Sequence, residues 1–348
     1  NSQATAGTNY QTFSDATDDL VQYGVCDDVV FNVASNTYSI VVSLIDIIGT
    51  SEDATITFQS ATGNWNDVII TSGSTGPINL SGADWVTFKD IKLENSSGNC
   101  VYFGGSSDHI TFDHCWMKGG FSTSNPSYTL INMQSPASYF TLVNNKLEKG
   151  SSWIYSQSGS TSSYKMDWVI EDNNMKDQSY GYGYIYYVDG MEMHRNSFVN
   201  DSAFIYGYGY MAMGYWQDVN NFNITKNRVN ATAGSGWYYS IYMVNCVGSN
   251  NPRSEISNNC ITVGNANSTT GAYAWFMSGS GIADIYNNTF IREITSSSYS
   301  VYIANGGSIN LKNNSFYNKA SSYALYVSGG FSINESDYNH FYNGGGAL

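Results

Sequence analysis

From residue 86 nearly to the C-terminus, apolar and polar positions follow an eight-residue phrase, apolar-x-apolar-x-polar-Asn-x-apolar, that returns every 22 to 32 residues. Its copies are VTFKDIKL (86–93), ITFDHCWM (110–117), FTLVNNKL (140–147), WVIEDNNM (168–175), MEMHRNSF (191–198), FNITKNRV (222–229), SEISNNCI (254–261), ADIYNNTF (283–290), INLKNNSF (309–316) and FSINESDY (331–338). The third position is apolar in every copy: Phe88, Phe112, Leu142, Ile170, Met193, Ile224, Ile256, Ile285, Leu311 and Ile333. With a mostly apolar first position and mostly polar second and fourth positions, this is the alternation of a strand with one buried face. Each copy therefore reads as one strand of one coil, and a period of this length predicts a solenoid.

The sixth position is Asn in seven successive copies, Asn145, Asn173, Asn196, Asn227, Asn259, Asn288 and Asn314. An Asn tolerates the left-handed backbone of a sharp corner, and its amide can hydrogen-bond neighbours above and below. Coils stacked about 4.8 Å apart would align these residues as a structural ladder at one corner.

The first part of the chain reads differently. TFSDATDDLVQY (12–23) sets Phe13, Ala16, Leu20 and Tyr23 at helical spacing, with acidic residues in the early turns and Gly24 as the stop. This predicts a helix that covers the N-terminal end of the coil. VVFNV (29–33), ATITFQS (54–60) and NDVIITS (66–72) read as strands of irregular first coils. The expected organisation is one domain over 1–348: a cap over 1–28, irregular coils over 29–85, regular coils over 86–343 and a Gly-rich end over 344–348. No comparable cap follows Phe331. An uncovered last coil would invite strand pairing, so a longer natural chain or another subunit is expected to cover it.

Composition supports a long all-β rod. There are 34 Gly and only 4 Pro, and charged residues are 12% of the chain, as for strands joined by tight polar turns. A solenoid remains one domain at this length because each coil contacts only its neighbours. The formal net charge of −14 argues against nucleic acid or anionic membrane as partner. No apolar run is long enough to insert into a bilayer. The start at Asn1 without an initiator Met fits a processed secreted chain. Of five cysteines, Cys100 with Cys115 and Cys246 with Cys260 are conceivable bridges between adjacent coils, and buried free thiols are the other reading. No CxxC pair suggests zinc, and neither metal nor cofactor is expected.

The segments GTNYQTFSDATDDL, VVFNVASNTYS, ATITFQSATGNWNDVIIT, LSGADWVTFKDIKLEN and SDYNHFYNGG resemble the right-handed parallel β-helix modules of large secreted surface proteins of Bacteroidota, within the pectate-lyase-like superfamily. The resemblance runs over essentially the whole chain. It implies a right-handed parallel β-helix, a secreted, extracellular or cell-surface location, and a family in which most members have no assigned activity. The secretion-sorting domain that usually ends such proteins is not in this sequence. Asp201-Ser202-Ala203 matches the short O-glycosylation signal of bacteria of that group, which makes Ser202 a glycosylation candidate. The Asn-x-Ser/Thr triplets are expected by chance in so Asn-rich a chain.

A second periodic feature lies between the phrases, where Tyr recurs between apolar neighbours: Tyr102, Tyr155, Tyr186, Tyr206, Tyr242, Tyr302 and Tyr326. Strand alternation would turn these rings outward into a stripe. YGYGY occurs at 180–184 and 206–210, and Trp216, Trp237, Tyr238 and Tyr239 add to the aromatic supply. The stripe is open to three readings: rings that stabilise the sheet, a sugar-stacking platform, or a contact surface for another subunit.

Catalytic signals are sparse. A polysaccharide lyase needs a basic residue facing a calcium-holding carboxylate cluster, and Arg195, Arg228, Arg253 and Arg292 stand on different coils without one. A hydrolase needs two carboxylates across a sugar. Glu255 and Asp284 occupy the same outward position on neighbouring coils, with Glu192 two coils before Glu255. Asp108, His109, Asp113 and His114 form the remaining candidate group, for metal or acid-base chemistry, against the reading of a plain surface turn.

Three functions follow from these features. The first is a non-catalytic structural or adhesive rod that assembles with itself, end to end or laterally, into a surface filament. The second is a carbohydrate-binding module whose tyrosine stripe contacts cell-surface polysaccharide, and the third is a polysaccharide lyase or glycoside hydrolase.

Overall fold

The computed structural model describes residues 9–73, 76–121, 128–179, 182–200, 210–232, 238–250, 252–264, 273–279 and 281–344. Its strands form two sheets of 21 and 12 strands, and every paired strand in them runs parallel to its neighbours. The smaller sheet takes one strand from each coil. The larger sheet takes the first four positions of each phrase together with the tyrosine-bearing strand that precedes the next phrase. The molecule is a parallel β-helix with one helix at its start.

Each eight-residue phrase proves to be a strand end, a corner and the beginning of the next strand. In FNITKNRV the strand Tyr210–Thr225 ends before Lys226 and the strand Arg228–Ala231 begins after Asn227. The third and eighth positions face the core. The third-position column runs Phe31, Phe58, Phe88, Phe112, Leu142 and Ile170 in unbroken register, so the coils of 29–85, expected to be irregular, continue directly into the later ones. Rings stack along it, Phe31 on Phe58 at 4.8 Å, Phe58 on Phe88 at 5.6 Å and Phe88 on Phe112 at 5.3 Å between centroids.

The left-handed residue at the corner is the fifth of the phrase, one place before the position expected. Asp90, His114, Asn144, Asp172, Arg195, Lys226, Asn258, Asn287, Asn313 and Tyr338 all have φ between 50° and 60°. The ladder Asn has an ordinary backbone and a different task. The Asn227 side-chain oxygen accepts from the Asn196 N–H at 2.9 Å and from Asn196 Nδ2 at 3.0 Å, while its own Nδ2 donates to the Met193 carbonyl at 2.8 Å and to Asn259 Oδ1 at 3.1 Å. The same pattern repeats from Asn145 to Asn314, all at most 2% exposed, so a polar column sits inside the corner with its amides partnered in both directions. At its N-terminal end Cys115 stands in the ladder position; its N–H donates to Asn145 Oδ1 and its thiol to the Phe88 carbonyl.

The tenth phrase is read two residues early from its sequence, since Ile333, its third position, pairs with Ile309, the first position of the ninth phrase. A bulge between the pairs of Ile309 and Asn310 makes Glu335 the partner of Asn310 and Asp337 the partner of Lys312. The corner then falls on Tyr338, and Asn339 becomes an eighth consecutive rung, its Oδ1 accepting from Asn314 N–H at 3.0 Å and Nδ2 at 2.9 Å. Ile333, expected in the core, is 44% exposed.

The N-terminal helix α1 (Phe13–Tyr23) closes as expected, with a capping box between Thr12 and Asp15 and with Gly24 at φ 68°. Phe13, Ala16 and Leu20 are buried and Phe13 packs edge-on against Tyr38, whereas Tyr23, expected on the same face, is 75% exposed because it occupies the last helical position, where no coil residue covers it. The cysteine bridges are not formed. All five thiols are free; burial pushes Cys100, Cys115 and Cys246 up to about 12, while Cys26 and Cys260 are exposed. No helix among the described residues is long and apolar enough to cross a membrane.

Candidate functional site

The tyrosine-bearing strands align a single outward column along the larger sheet. In register it runs Tyr155, Tyr184, Tyr215, Tyr242, Phe276, Tyr302 and Tyr326, one ring per coil. Inward neighbours such as Ile154, Ile185, Trp216, Ile241, Met243 and Ile303 are buried, and the column rings are half-buried. Trp216 thus belongs to the core and not to the surface supply of aromatics.

Two members differ from the stripe read in the sequence. Bulges between Tyr182 and Tyr184, and between Met211 and Gly214, shift the register. Tyr184 therefore occupies the column, and Tyr186 lies two residues along, paired with Gln217; Tyr215 is the column residue of the next coil. Tyr206 and Ser202 lie outside the described residues. Tyr102 is in the same column but stands apart from the run, because Asn79 and Asn132 flank it on the neighbouring coils.

A second row, not foreseen, runs beside the first. Tyr239, Tyr273, Tyr299 and Tyr323 each precede a column ring by three residues, in YSIY (239–242), YAWF (273–276), YSVY (299–302) and YALY (323–326). The small second residue is buried in each, Ser240, Ala274, Ser300 and Ala324. That tetrapeptide was the available signal, although Tyr239, at its first occurrence, is itself buried at 6%.

Ring geometry divides the face in two. From Tyr215 onward the rings are coaxial: Tyr215 on Tyr242 at 5.4 Å and 11°, Tyr242 on Phe276 at 4.0 Å and 6°, Phe276 on Tyr302 at 4.9 Å and 3°. Coaxial rings spend their faces on each other and offer edges and hydroxyls to solvent. Before Tyr215 they meet edge to face, Tyr155 with Tyr184 at 83°, Tyr184 with Tyr186 at 86° and Tyr186 with Tyr187 at 88°. Burial pushes the Tyr186 phenol up to about 12 and also raises those of Tyr215 and Tyr242. Beneath this cluster Lys165 is fully buried, its Nζ 2.7 Å from Ser156 Oγ and 5.2 Å from the centre of the Trp168 ring. Burial lowers it to about 7.

The acid-base candidates are drawn into local pairs. Glu255 and Asp284 do lie side by side in register, but Asp284 Oδ1 accepts from Arg253 Nε and from Asn310 Nδ2, both at 2.7 Å. Glu192 accepts from Asn223 at 2.8 Å and contacts His194. Asp108 accepts the Ser138 N–H at 2.6 Å, and His109 is sandwiched between Trp85 at 3.6 Å and Tyr139 at 4.2 Å. His114 belongs to a different corner, paired with Asp90 and stacked on Trp65, while Asp113 is paired with Lys89. The four residues read together as a cluster therefore separate into two corners. Arg292 is buried, donating to Ile294, Asn318 and Ser296.

No family model matches the chain, and no curated protein aligns with it. Solved structures with a similar fold include PfbA, a surface adhesin of Streptococcus pneumoniae (13% identity, 93% of this chain, 86% of that one, TM-score 0.41). An alginate lyase from Paenibacillus sp. str. FPU-7 is similar over 94% of this chain and 97% of its own, at 12% identity and TM-score 0.38. A pectin methylesterase from Aspergillus niger is similar over 95% and 86%, at 14% identity and TM-score 0.35. Likenesses this low carry no argument about activity, and the fold rests on the strand pairing itself.

Proposed function

We propose that this chain is a non-catalytic extracellular rod that adheres to cell-surface polysaccharide through the aromatic column of its larger sheet. The observation that carries this reading is the register: seven consecutive coils each place one half-buried ring in the same outward position. A strand spacing of about 4.8 Å is comparable to one pyranose residue, so a linear glycan laid along the rod axis meets a ring on each coil. The coaxial part supplies hydroxyls and edges for hydrogen bonds, and the edge-to-face part around Tyr184 and Tyr186 supplies apolar ring surface. Rigid rings with a polar tip suit such a contact because little side-chain entropy is lost on binding. The pairing of Asp284 and Glu192 with neighbouring cations and amides favours adhesion over hydrolysis.

The test is affinity electrophoresis through gels containing neutral polysaccharides, comparing the wild-type chain with Tyr184→Ser/Tyr186→Ser/Tyr242→Ser. Retardation that disappears in the variant supports the reading. Retardation unchanged by the variant assigns the rings to sheet stability alone. Should the same rings instead join two copies of the chain, sedimentation mass will rise with concentration and fall in the variant.

A further inference from the structure

A path made only of tyrosines runs through the aromatic face. Tyr155, Tyr184, Tyr215 and Tyr242 follow one another with ring centroids 5.3, 5.7 and 5.4 Å apart. The column then meets Phe276, whose ring carries no phenol and is far harder to oxidise. The second row leads around it: Tyr239 lies 5.4 Å from Tyr242 and 5.6 Å from Tyr273, and Tyr273 lies 5.9 Å from Tyr302. Beyond Phe276 the two rows close into a block, Tyr299 with Tyr302 at 5.8 Å, Tyr299 with Tyr326 at 4.4 Å and Tyr302 with Tyr326 at 5.4 Å. Tyr323 borders that block, 6.2 Å from Tyr299 and 6.3 Å from Tyr326.

Exposure along this path is uneven. Tyr239 is buried, the column rings are half-buried, and Tyr323 is 48% exposed. A phenol that gives up an electron must also release its proton, because the protonated radical is a cation and a strong acid, costly to keep away from water. Burial makes Tyr215, Tyr242 and Tyr299 hold their protons more tightly than they would in water. At Tyr323 solvent can take the proton. An electron vacancy formed anywhere on the array is therefore most stable at its exposed border.

We propose that the double tyrosine row is an oxidative modification site, which gathers one-electron oxidation over several coils and delivers it to Tyr323, where two copies of the chain become joined by a bond between phenol rings. The oxidant is hydrogen peroxide acting through a haem peroxidase. The peroxidase takes one electron from a phenol and water takes the proton, which leaves a neutral phenoxyl radical. Electron transfer from the next ring, with its proton, restores the first phenol and moves the radical along the array. Two Tyr323 radicals then couple through the carbons ortho to oxygen: one C–C bond forms, and the hydrogen on each coupled carbon moves to the phenol oxygen. In sum, one peroxide and two phenols give one dityrosine and two waters. The coupling needs phenols at the Tyr323 border, whereas the polysaccharide contact rests on ring surface around Tyr184 and Tyr186, so either property can fail without the other.

The test treats the chain with a haem peroxidase and limiting hydrogen peroxide, reads covalent dimer on denaturing gels and maps dityrosine by peptide mass spectrometry. Exposure alone favours coupling at Tyr338 and Tyr23, which are 81% and 75% exposed. The array instead puts the main cross-link at Tyr323. Tyr323→Phe should abolish that cross-link. Tyr299→Phe/Tyr302→Phe/Tyr326→Phe keeps every ring and leaves Tyr323 in place, yet should lower its coupling to the level seen at Tyr338. Tyr273→Phe, which cuts the detour around Phe276, should give a smaller loss in the same direction. Melting temperatures recorded alongside show that each variant is folded. The inference is overturned if no covalent dimer forms, if cross-links follow exposure, or if the folded triple variant couples at Tyr323 like wild type.

Discussion

Two columns of repeated side chains run along the later coils of this rod, and they differ in what surrounds them. The Asn ladder lies inside a corner at 1–2% exposure, with its amides engaged by the coils above and below. The aromatic column has the same one-per-coil register on an outward face, half-buried, with rings that touch mainly each other. Repetition alone therefore does not separate scaffold from contact surface. Satisfaction does: a column whose polar atoms are all consumed internally has nothing left for a ligand, while phenols at a surface retain hydrogen-bonding capacity.

The largest effect that could break this contrast is at the ladder. Asn227→Leu strands the Asn196 N–H, takes the side-chain donor from the Met193 carbonyl, and leaves Asn196 Nδ2 with only the Ile170 carbonyl and Asn259 Oδ1 with only the backbone N–H of residue 227. Leaving a buried group unsatisfied costs about 1–3 kcal/mol, so a loss of roughly 3 kcal/mol or more is expected in urea unfolding. A loss below about 1 kcal/mol would mean that the amides are not what holds the coils together.

Next in size is the pH dependence set by Lys165. Its folded value of about 7 lies below its ordinary one, so between the two the unfolded chain holds a proton that the folded chain does not. Stability should rise as pH increases from about 7 towards 10 and be lost as it falls back, by an amount of order a few kcal/mol. Lys165→Met should flatten that slope in melts across the window. An unchanged slope would mean that the amine is solvated or paired in the folded chain.

A smaller effect probes the register of the last coil. Asn339→Ala should cost about 1 kcal/mol because Asn339 completes the ladder, and Asn334→Ala on its exposed strand should cost almost nothing. A negligible cost at Asn339 would mean that the ladder ends at Asn314.

The smallest stability change is expected at the surface column. Tyr242→Ser removes ring contacts with Tyr215, Tyr239 and Phe276, worth toward the low end of about 0.2–1 kcal/mol each on a half-exposed face, so its melt should stay near wild type. Stability falling as far as in Asn227→Leu would reclassify the column as scaffold.

Much of the fold was legible because the core imposes it. Third-position apolar residues, the Asn run and the Thr12 to Gly24 helix signals all report local constraints that one coil repeats to the next. What escaped were register changes of one or two residues. The bulge at Asn334 moved the ladder position of the last coil onto Asn339, beyond the end of FSINESDY, and the bulges near Gly183 and Gly214 moved the column from Tyr186 to Tyr184 and onto Tyr215. Such bulges leave no periodic trace, since one inserted residue looks like ordinary variation in coil length. The left-handed corner was assigned to the Asn because Asn tolerates that backbone, yet Arg195, Lys226 and Tyr338 hold it at the preceding position. The seating of Lys92 and Lys146 over the Trp116 ring, at 4.3 and 3.9 Å from its centre, was invisible for another reason: the three residues are 24 and 30 positions apart in the chain and meet only once the coils are stacked.

The most direct test of the account is the retardation of the chain in polysaccharide gels before and after Tyr184→Ser/Tyr186→Ser/Tyr242→Ser, with the melting temperature recorded alongside. Loss of retardation at a melting temperature within a few degrees of wild type is the predicted result. Retardation that survives in a folded variant, or a variant that cannot fold at all, would contradict the claim that this column is a contact surface and not a second scaffold.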